Sequence, residues 1–190
     1  GDVYKRQVGG GSLVSHDQVM TAAPYASYQP DGFVREVGPG DPINIHAHWA
    51  SLGDDVRSGD FGWWNPDLGG GQPTMKGGLP VFDLAYLAVP AWYAPGLVAA
   101  LRTLVAIGLT YGYLRSVALR RSAALVGGIA FGLSGFMVGW MNWPHSSVAA
   151  LAPGVLWAVE RLLADPRPWR AAPLGLLGAA MVWSNFPAVL

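Results

Sequence analysis

The longest stretch without a charged side chain is the feature that most constrains the fold. Between Arg121 and Glu160 there is no Asp, Glu, Lys or Arg, and most of the intervening residues are apolar. Twenty helical residues rise about 30 Å, which matches the hydrocarbon core of a bilayer. The stretch therefore predicts two membrane-spanning helices joined by an uncharged turn at "WMNWPHSS".

Charge is distributed unevenly around this stretch. Residues 8–78 contain eight acidic and three basic side chains, whereas residues 79–190 contain three acidic and seven basic ones. The first part is rich in Gly, Pro and Asp and predicts a loop domain with one short helix. The second part predicts a mainly α, polytopic membrane protein, whose four transmembrane helices lie at about 95–114, 122–141, 146–163 and 171–190.

Residues 79–94 are apolar but are interrupted by Pro80, Asp83 and Pro90. They predict an interfacial or re-entrant helix, with a full crossing as the alternative. Trp63 and Trp64 suit a membrane–water interface, and the alternative is that they form a small core of the loop domain. At the chain ends, "GDVYKRQ" resembles a translated sequencing adapter, so residues 1–7 are left out of the fold prediction. We expect the chain to be an internal piece of a longer protein.

Several classes are excluded or disfavoured by composition. The chain has no cysteine, so disulfides and thiolate metal sites are excluded. The few basic residues lie between apolar runs, which argues against a nucleic-acid partner and for a lipid bilayer. A soluble protein would need four buried helices with almost no polar face.

The short loops predict the orientation in the membrane. Arginine clusters mark cytoplasmic loops. Three arginines separate the first and second predicted spans, three more separate the third and fourth, and the turn between spans two and three has none. They are Arg115, Arg120, Arg121, Arg161, Arg167 and Arg170. We therefore expect residues 8–78 to be extracytoplasmic. Small residues at Gly128, Gly132, Gly135 and Gly139 predict close packing of another helix.

The stretch "GDPINIHAHW" places three candidate site residues close together. Asp41 precedes a proline and suits a helix N-cap, and its alternative role is a catalytic base. His46 and His48 share a face if the segment is extended and diverge if it is helical. A divalent metal here remains an open alternative, although no zinc-type motif supports one.

Two further candidates lie in the apolar part. Arg102 sits within a predicted span, where an arginine must pair or face a polar cavity. It either contacts the phosphate of a lipid-linked substrate or forms an internal ion pair with Asp83. His145 lies in the turn "WMNWPHSS", either facing the same compartment as Asp41 or as an interfacial histidine between aromatic anchors.

The order of these features resembles the N-terminal part of YfhO-type bacterial membrane proteins, which belong to the GT-C glycosyltransferase-like superfamily. The segments that carry the resemblance are "GDPINIHAHWASLGDDVRSGDFGWWNPDLGGGQP", "LRTLVAIGLTYGYLR", "AALVGGIAFGLSGFMVGWMNWPH" and "LAPGVLWAVERLL". The resemblance implies a GT-C-like helical bundle with an extracytoplasmic first loop, in the bacterial cytoplasmic membrane. Its loop motif "WNP…G.P" is matched by Asn65, Pro66, Gly71 and Pro73.

The resemblance also implies a reaction. Members of the superfamily transfer a sugar from a polyprenyl-phosphate donor to an envelope polymer or lipid acceptor on the outer face, with a loop acid as base or metal ligand. Asp41 falls at the position of that acid, and Arg102 matches a basic position in the next span. His46, His48, Asn65 and His145 are the other expected substrate contacts. The polar residue expected a few positions after the acid, often a glutamine, is not clearly present, so Asn44 or His46 would have to take its place. The alternative is a non-enzymatic transporter or assembly protein.

Overall fold

A computed structural model of the chain describes residues 27, 43–59, 64–65, 70–73 and 80–184. These residues are mainly helical, with one two-stranded antiparallel ribbon in which Trp64 pairs with Pro73 and Asn65 with Gln72. The elements are α1 (Ile43–Ser58), β1 (Trp64–Asn65), β2 (Gln72–Pro73), α2 (Ala85–Ala88), α3 (Ala94–Ser116), α4 (Arg121–Gly132), α5 (Gly135–Gly139), α6 (Pro144–Ala164), a 3₁₀ turn (Pro168–Arg170) and α7 (Ala171–Trp183).

Within the described part of the chain, three helical segments are long and apolar enough to cross a membrane: Ala94–Ser116, Arg121–Gly139 and Pro144–Ala164. Large apolar side chains such as Leu104 and Val126 are exposed on their outer faces, as expected for helices in lipid. The predicted mainly helical membrane protein is confirmed at this level. The fourth span was predicted at residues 171–190. Its residues 171–183 form helix α7, and residues 185–190 lie outside the described part of the chain.

The second of these segments is not one continuous helix. It is interrupted at Leu133 and Ser134, where the Ser134 hydroxyl accepts a hydrogen bond from the backbone N–H of Met137 and caps α5. Serine at an N-cap stabilises a new helix start because its side chain satisfies an otherwise unpaired backbone donor. The helix therefore bends within the membrane-spanning part.

The small-residue face of this segment packs closely over only half of its length. A Cβ atom on Gly128 would lie 2.8 Å from the carbonyl oxygen of Ile107 in α3, and one on Gly132 would lie 2.5 Å from the Ile107 side chain. Gly135 and Gly139 have no described neighbour within 4 Å of the corresponding position. The predicted close packing is thus confirmed for the α4 glycines and not found among the described residues for those of α5.

Helices α3 and α6 run in the same direction. Arg102 meets Ser146 near the start of both helices, and Gly112 meets Trp157 about ten residues further along each of them. Helix α4 begins where α3 ends and runs back in the opposite direction before α6 begins. All six loop arginines therefore lie at the end of the bundle where α3 and α6 finish, which we call the arginine end. The opposite end, where Asp83 meets Arg102, is called the ion-pair end.

Helix α1 packs at the ion-pair end, against α2. Trp49 and Leu52 of α1 join Phe82 and Tyr86 in one buried apolar cluster. The segment 79–94 was predicted as an interfacial or re-entrant helix. Its residues 80–93 form turns around the single helical turn α2. Because Asp83 and Tyr86 are three residues apart on this short segment, both are brought to the interior.

Candidate functional site

The centre of the candidate site is a buried ion pair between Asp83 and Arg102. Nη2 of Arg102 lies 3.2 and 3.1 Å from the two carboxylate oxygens of Asp83. The two residues are only 5% and 4% exposed. Of the two roles predicted for Arg102, the internal ion pair with Asp83 is therefore the one observed. Burial raises the pKa of the Asp83 carboxyl, and the neighbouring Arg102 charge opposes this rise.

The second terminal nitrogen of Arg102 ties α3 to the turn before α6. Nη1 donates to the backbone oxygens of Met141 at 2.6 Å and Trp143 at 3.2 Å, and to the Ser146 hydroxyl at 3.2 Å. The Ser146 hydroxyl also donates to the Trp143 oxygen at 2.9 Å. Only Nε of the guanidinium has no hydrogen-bond partner among the described residues. Nearly all the donors of Arg102 are thus used inside the protein.

Tyr86 extends this centre towards α1. Its hydroxyl lies 3.0 Å from Nδ1 of His46, and its ring centroid lies 5.6 Å from the imidazole. Burial and the nearby Asp83 carboxylate raise the pKa of Tyr86 above its ordinary value, against the opposing effect of Arg102. The phenol is protonated at neutral pH, as an ordinary tyrosine is, and its O–H can donate to Nδ1 of His46.

Arg57 and Gly53 fix α1 against this segment. Nη1 of Arg57 donates to the carbonyl oxygens of Tyr86 at 2.8 Å and of Val89 at 2.9 Å, and Arg57 is also paired with Asp54. An arginine that binds the last carbonyls of a helical turn satisfies groups that the turn leaves unpaired. A Cβ on Gly53 would lie 2.3 Å from the Tyr86 oxygen, so only glycine permits this approach.

The predicted site residues divide into those joined to this centre and those that are not. His46 is joined through Tyr86, and His145 lies on α6 between two Arg102 contacts, Trp143 and Ser146, with its ring centroid 4.5 Å from that of Trp140. His48, two residues after His46 on helical α1, points to a different side, with its ring 4.9 Å from that of Trp49.

The remaining predicted residues are placed as follows. Asp41 lies outside the described residues, two positions before α1 in the sequence. The backbone of Asn65 belongs to the two-stranded ribbon. Trp64 is 58% exposed, and Trp63 lies outside the described residues. Within the described part of the chain, no three His, Asp or Glu side chains are grouped to hold a metal.

Tyr86 and Arg57 were not predicted as site residues. A signal for Tyr86 does exist in the sequence, since it follows Asp83 by three residues and so shares a face with it in any helical turn. Nothing local distinguishes Arg57 from an exposed helix-terminal arginine, because its two carbonyl partners are about thirty residues away.

Comparison with protein-family models, curated proteins and solved structures gave no match. The fold and the site define the class as a helical membrane protein with a buried ion pair near one end of its bundle. The short segment that carries Asp83 and Tyr86 contacts α1 through Tyr86 and contacts α3 through Asp83, and Arg102 of α3 in turn contacts α6.

Proposed function

We propose that the chain is part of a bacterial membrane glycosyltransferase of GT-C type. In this proposal a sugar moves from a polyprenyl-phosphate donor to an envelope polymer or lipid acceptor at the outer face of the cytoplasmic membrane. The proposal includes the GT-C-like bundle, with residues 8–78 as its extracytoplasmic first loop.

One observation carries the proposal. His46, Arg102 and His145, predicted as substrate contacts from separate parts of the sequence, are connected at the ion-pair end by Tyr86, Asp83 and the turn before α6. A polar cluster at one end of an apolar bundle suits a substrate whose lipid lies in the bilayer and whose sugar lies in water.

The charge at the two ends supports the proposed orientation. All six loop arginines lie at the arginine end, and α1 packs at the opposite end. If the arginine end is cytoplasmic, as clusters of loop arginines generally are, then α1 faces the outside. Asp41, two positions before α1 in the sequence, would then belong to the outer face.

In the proposed reaction, the Asp41 carboxylate takes the proton from an acceptor hydroxyl as its oxygen attacks the anomeric carbon. The bond from that carbon to the phosphate oxygen breaks, the phosphate leaves with the electron pair, and the configuration inverts. Since both terminal nitrogens of Arg102 are occupied, its contribution is the electrostatic stabilisation of the leaving phosphate. His46, His48, Asn65 and His145 are the proposed contacts to sugar and acceptor.

A second candidate function is a non-enzymatic transporter or assembly protein of envelope biogenesis. The observation that favours it is the near-complete use of the Arg102 donors by Asp83, Met141, Trp143 and Ser146. An arginine that is held in this way stabilises the bundle whether or not a sugar is transferred.

Asp41→Asn in the full-length protein tests the enzymatic proposal. Removing a general base typically costs about 10²–10⁴-fold in rate, so we expect sugar transfer in isolated membranes to fall at least 100-fold. Asp55→Asn is the matched control, because it makes the same chemical change at a partly exposed residue of the nearby helix α1, and it should retain activity within about twofold. Full activity of Asp41→Asn at equal expression would refute the assignment and leave the non-enzymatic candidate.

A further inference from the structure

A groove at the arginine end is separate from the candidate site described above. It has a volume of about 610 Å³, lies between α3, α6 and α7, and contacts the turn Pro168–Arg170. Its apolar wall includes Leu109, Trp157 and Leu176, and Leu176 is 72% exposed. This volume falls within the range of about 300–1,000 Å³ that is typical of ligand sites.

Two arginines line the polar rim of the groove. Arg170 pairs with Asp165 at 3.1 Å and donates to the backbone oxygen of Arg161 at 3.2 Å. Asp165 is also paired with Arg167 at 3.0 Å. The guanidinium of Arg161 stands over the Trp157 ring, 5.6 Å from its centroid, and has no ion pair among the described residues. One cationic group at the rim therefore lacks a described counter-charge.

The groove reaches from the level of these arginines into the apolar layer. Arg161 is three residues before the end of α6, whereas Gly154, which lines the inner part, is seven residues earlier in the helix. At 1.5 Å per residue this separation is about 10 Å. Trp169 at the rim is an aromatic residue of the kind found at the headgroup level of a bilayer.

We propose that this groove binds one anionic phospholipid. Arg161 and Arg170 contact its phosphate, and the first part of an acyl chain lies along Leu109, Trp157 and Leu176. The unpaired charge of Arg161 selects an anionic headgroup, and the apolar wall selects a lipid over a free anion. Basic pockets between membrane helices on the cytoplasmic side are a known way of holding anionic lipids.

The test measures lipid retention by the full chain in detergent micelles, using native mass spectrometry and thermal unfolding. Phosphatidylglycerol is the anionic probe, and phosphatidylcholine and inorganic phosphate are the comparisons. We expect one bound phosphatidylglycerol, with at least fivefold weaker binding of phosphatidylcholine and no stabilisation by inorganic phosphate. Equal binding of the two lipids, or stabilisation by inorganic phosphate alone, would overturn the proposal.

Variants separate a specific groove from general surface charge. Arg161→Gln should weaken phosphatidylglycerol binding about five- to tenfold. Arg121 is exposed at the same end but lies outside the groove, so Arg121→Gln should change the binding less than about twofold. Leu176→Trp fills the groove without altering charge and should also weaken binding. Equal effects of the two arginine variants would indicate non-specific attraction and refute the site.

A competing occupant is a second copy of the chain. Since the chain contains no cysteine, Leu176→Cys introduces a single thiol at the groove. Under the proposal this variant stays monomeric on oxidation, and added phosphatidylglycerol slows the reaction of its thiol with a maleimide. Efficient disulfide-linked dimers would show that the groove is a protein interface and would overturn the lipid proposal.

Discussion

Replacing Arg102 by Met removes the cationic partner of Asp83 while keeping a long side chain in α3. Both residues are about 95% buried, so the Asp83 carboxyl is left in an apolar environment without its counter-charge. Breaking a buried ion pair by removing one partner costs about 3–5 kcal/mol. The loss of the Nη1 hydrogen bonds to Met141, Trp143 and Ser146 adds to this, so we expect a destabilisation near the upper end of that range.

The cost of Arg102→Met should depend on pH in a defined direction. Burial already raises the pKa of Asp83, and removing Arg102 removes the charge that opposes this rise. A carboxyl whose pKa is higher in the folded than in the unfolded state stabilises the fold at low pH, and this contribution is lost as pH rises through the folded-state pKa. The variant should therefore lie closer to the wild type at pH 5 than at pH 8.

The assay is reversible unfolding of the detergent-solubilised chain, followed by tryptophan fluorescence and circular dichroism, in a double-mutant cycle with Asp83→Asn. The two single variants should show a coupling energy of about 2–3 kcal/mol, because the double variant leaves no unpaired charge. Asp54→Asn is the matched control, since Asp54 is in an exposed pair and should change stability by about 0.5 kcal/mol or less. Additive single effects, or a cost below about 1 kcal/mol, would refute a stabilising ion pair.

Four further substitutions test the packing of the helices and the hydrogen bond of Tyr86. Gly53→Ala should cost about 1–3 kcal/mol and speed proteolysis within α1, because its Cβ would lie 2.3 Å from a backbone oxygen of Tyr86. Gly128→Ala should cost a similar amount by the same unfolding assay, whereas Gly135→Ala, in open space, should cost nothing. Tyr86→Phe loses the hydroxyl next to His46 and should cost about 1 kcal/mol at pH 8. Since the Tyr86 pKa is raised in the fold, the wild type should lose this advantage above about pH 10, which unfolding between pH 8 and 11 would reveal.

Part of the candidate site could be predicted from local sequence. An arginine inside an apolar span must find a partner, and Asp83 is the acidic side chain that the sequence places nearest before it. The α4 glycines were predicted to face a helix because small residues three and four apart share one face. Both predictions rest on local rules: an arginine in an apolar span needs a partner, and a helix face of small residues favours close packing, whatever path the rest of the chain takes.

Other features depended on the assembled fold. At Ser134 the chain starts a new helix instead of continuing the previous one, and the apolar composition of the segment does not predict which of the two occurs. Tyr86 contacts His46, which lies 40 residues before it. Arg57 donates a hydrogen bond to the Tyr86 carbonyl, 29 residues away. No periodicity in either segment specifies such a pair.

The sequence by itself determined that this is a helical membrane protein, because the length of an uncharged apolar run and the bilayer thickness are sufficient to define a span. It also determined that Arg102 had to lie inside the bundle. Only the tertiary structure decided which groups satisfy it: Asp83 nineteen residues before it and Ser146 forty-four residues after it. Desolvation makes pairing necessary at every buried charge, but the partner is selected by which side chains and carbonyls the packed helices bring within hydrogen-bond distance.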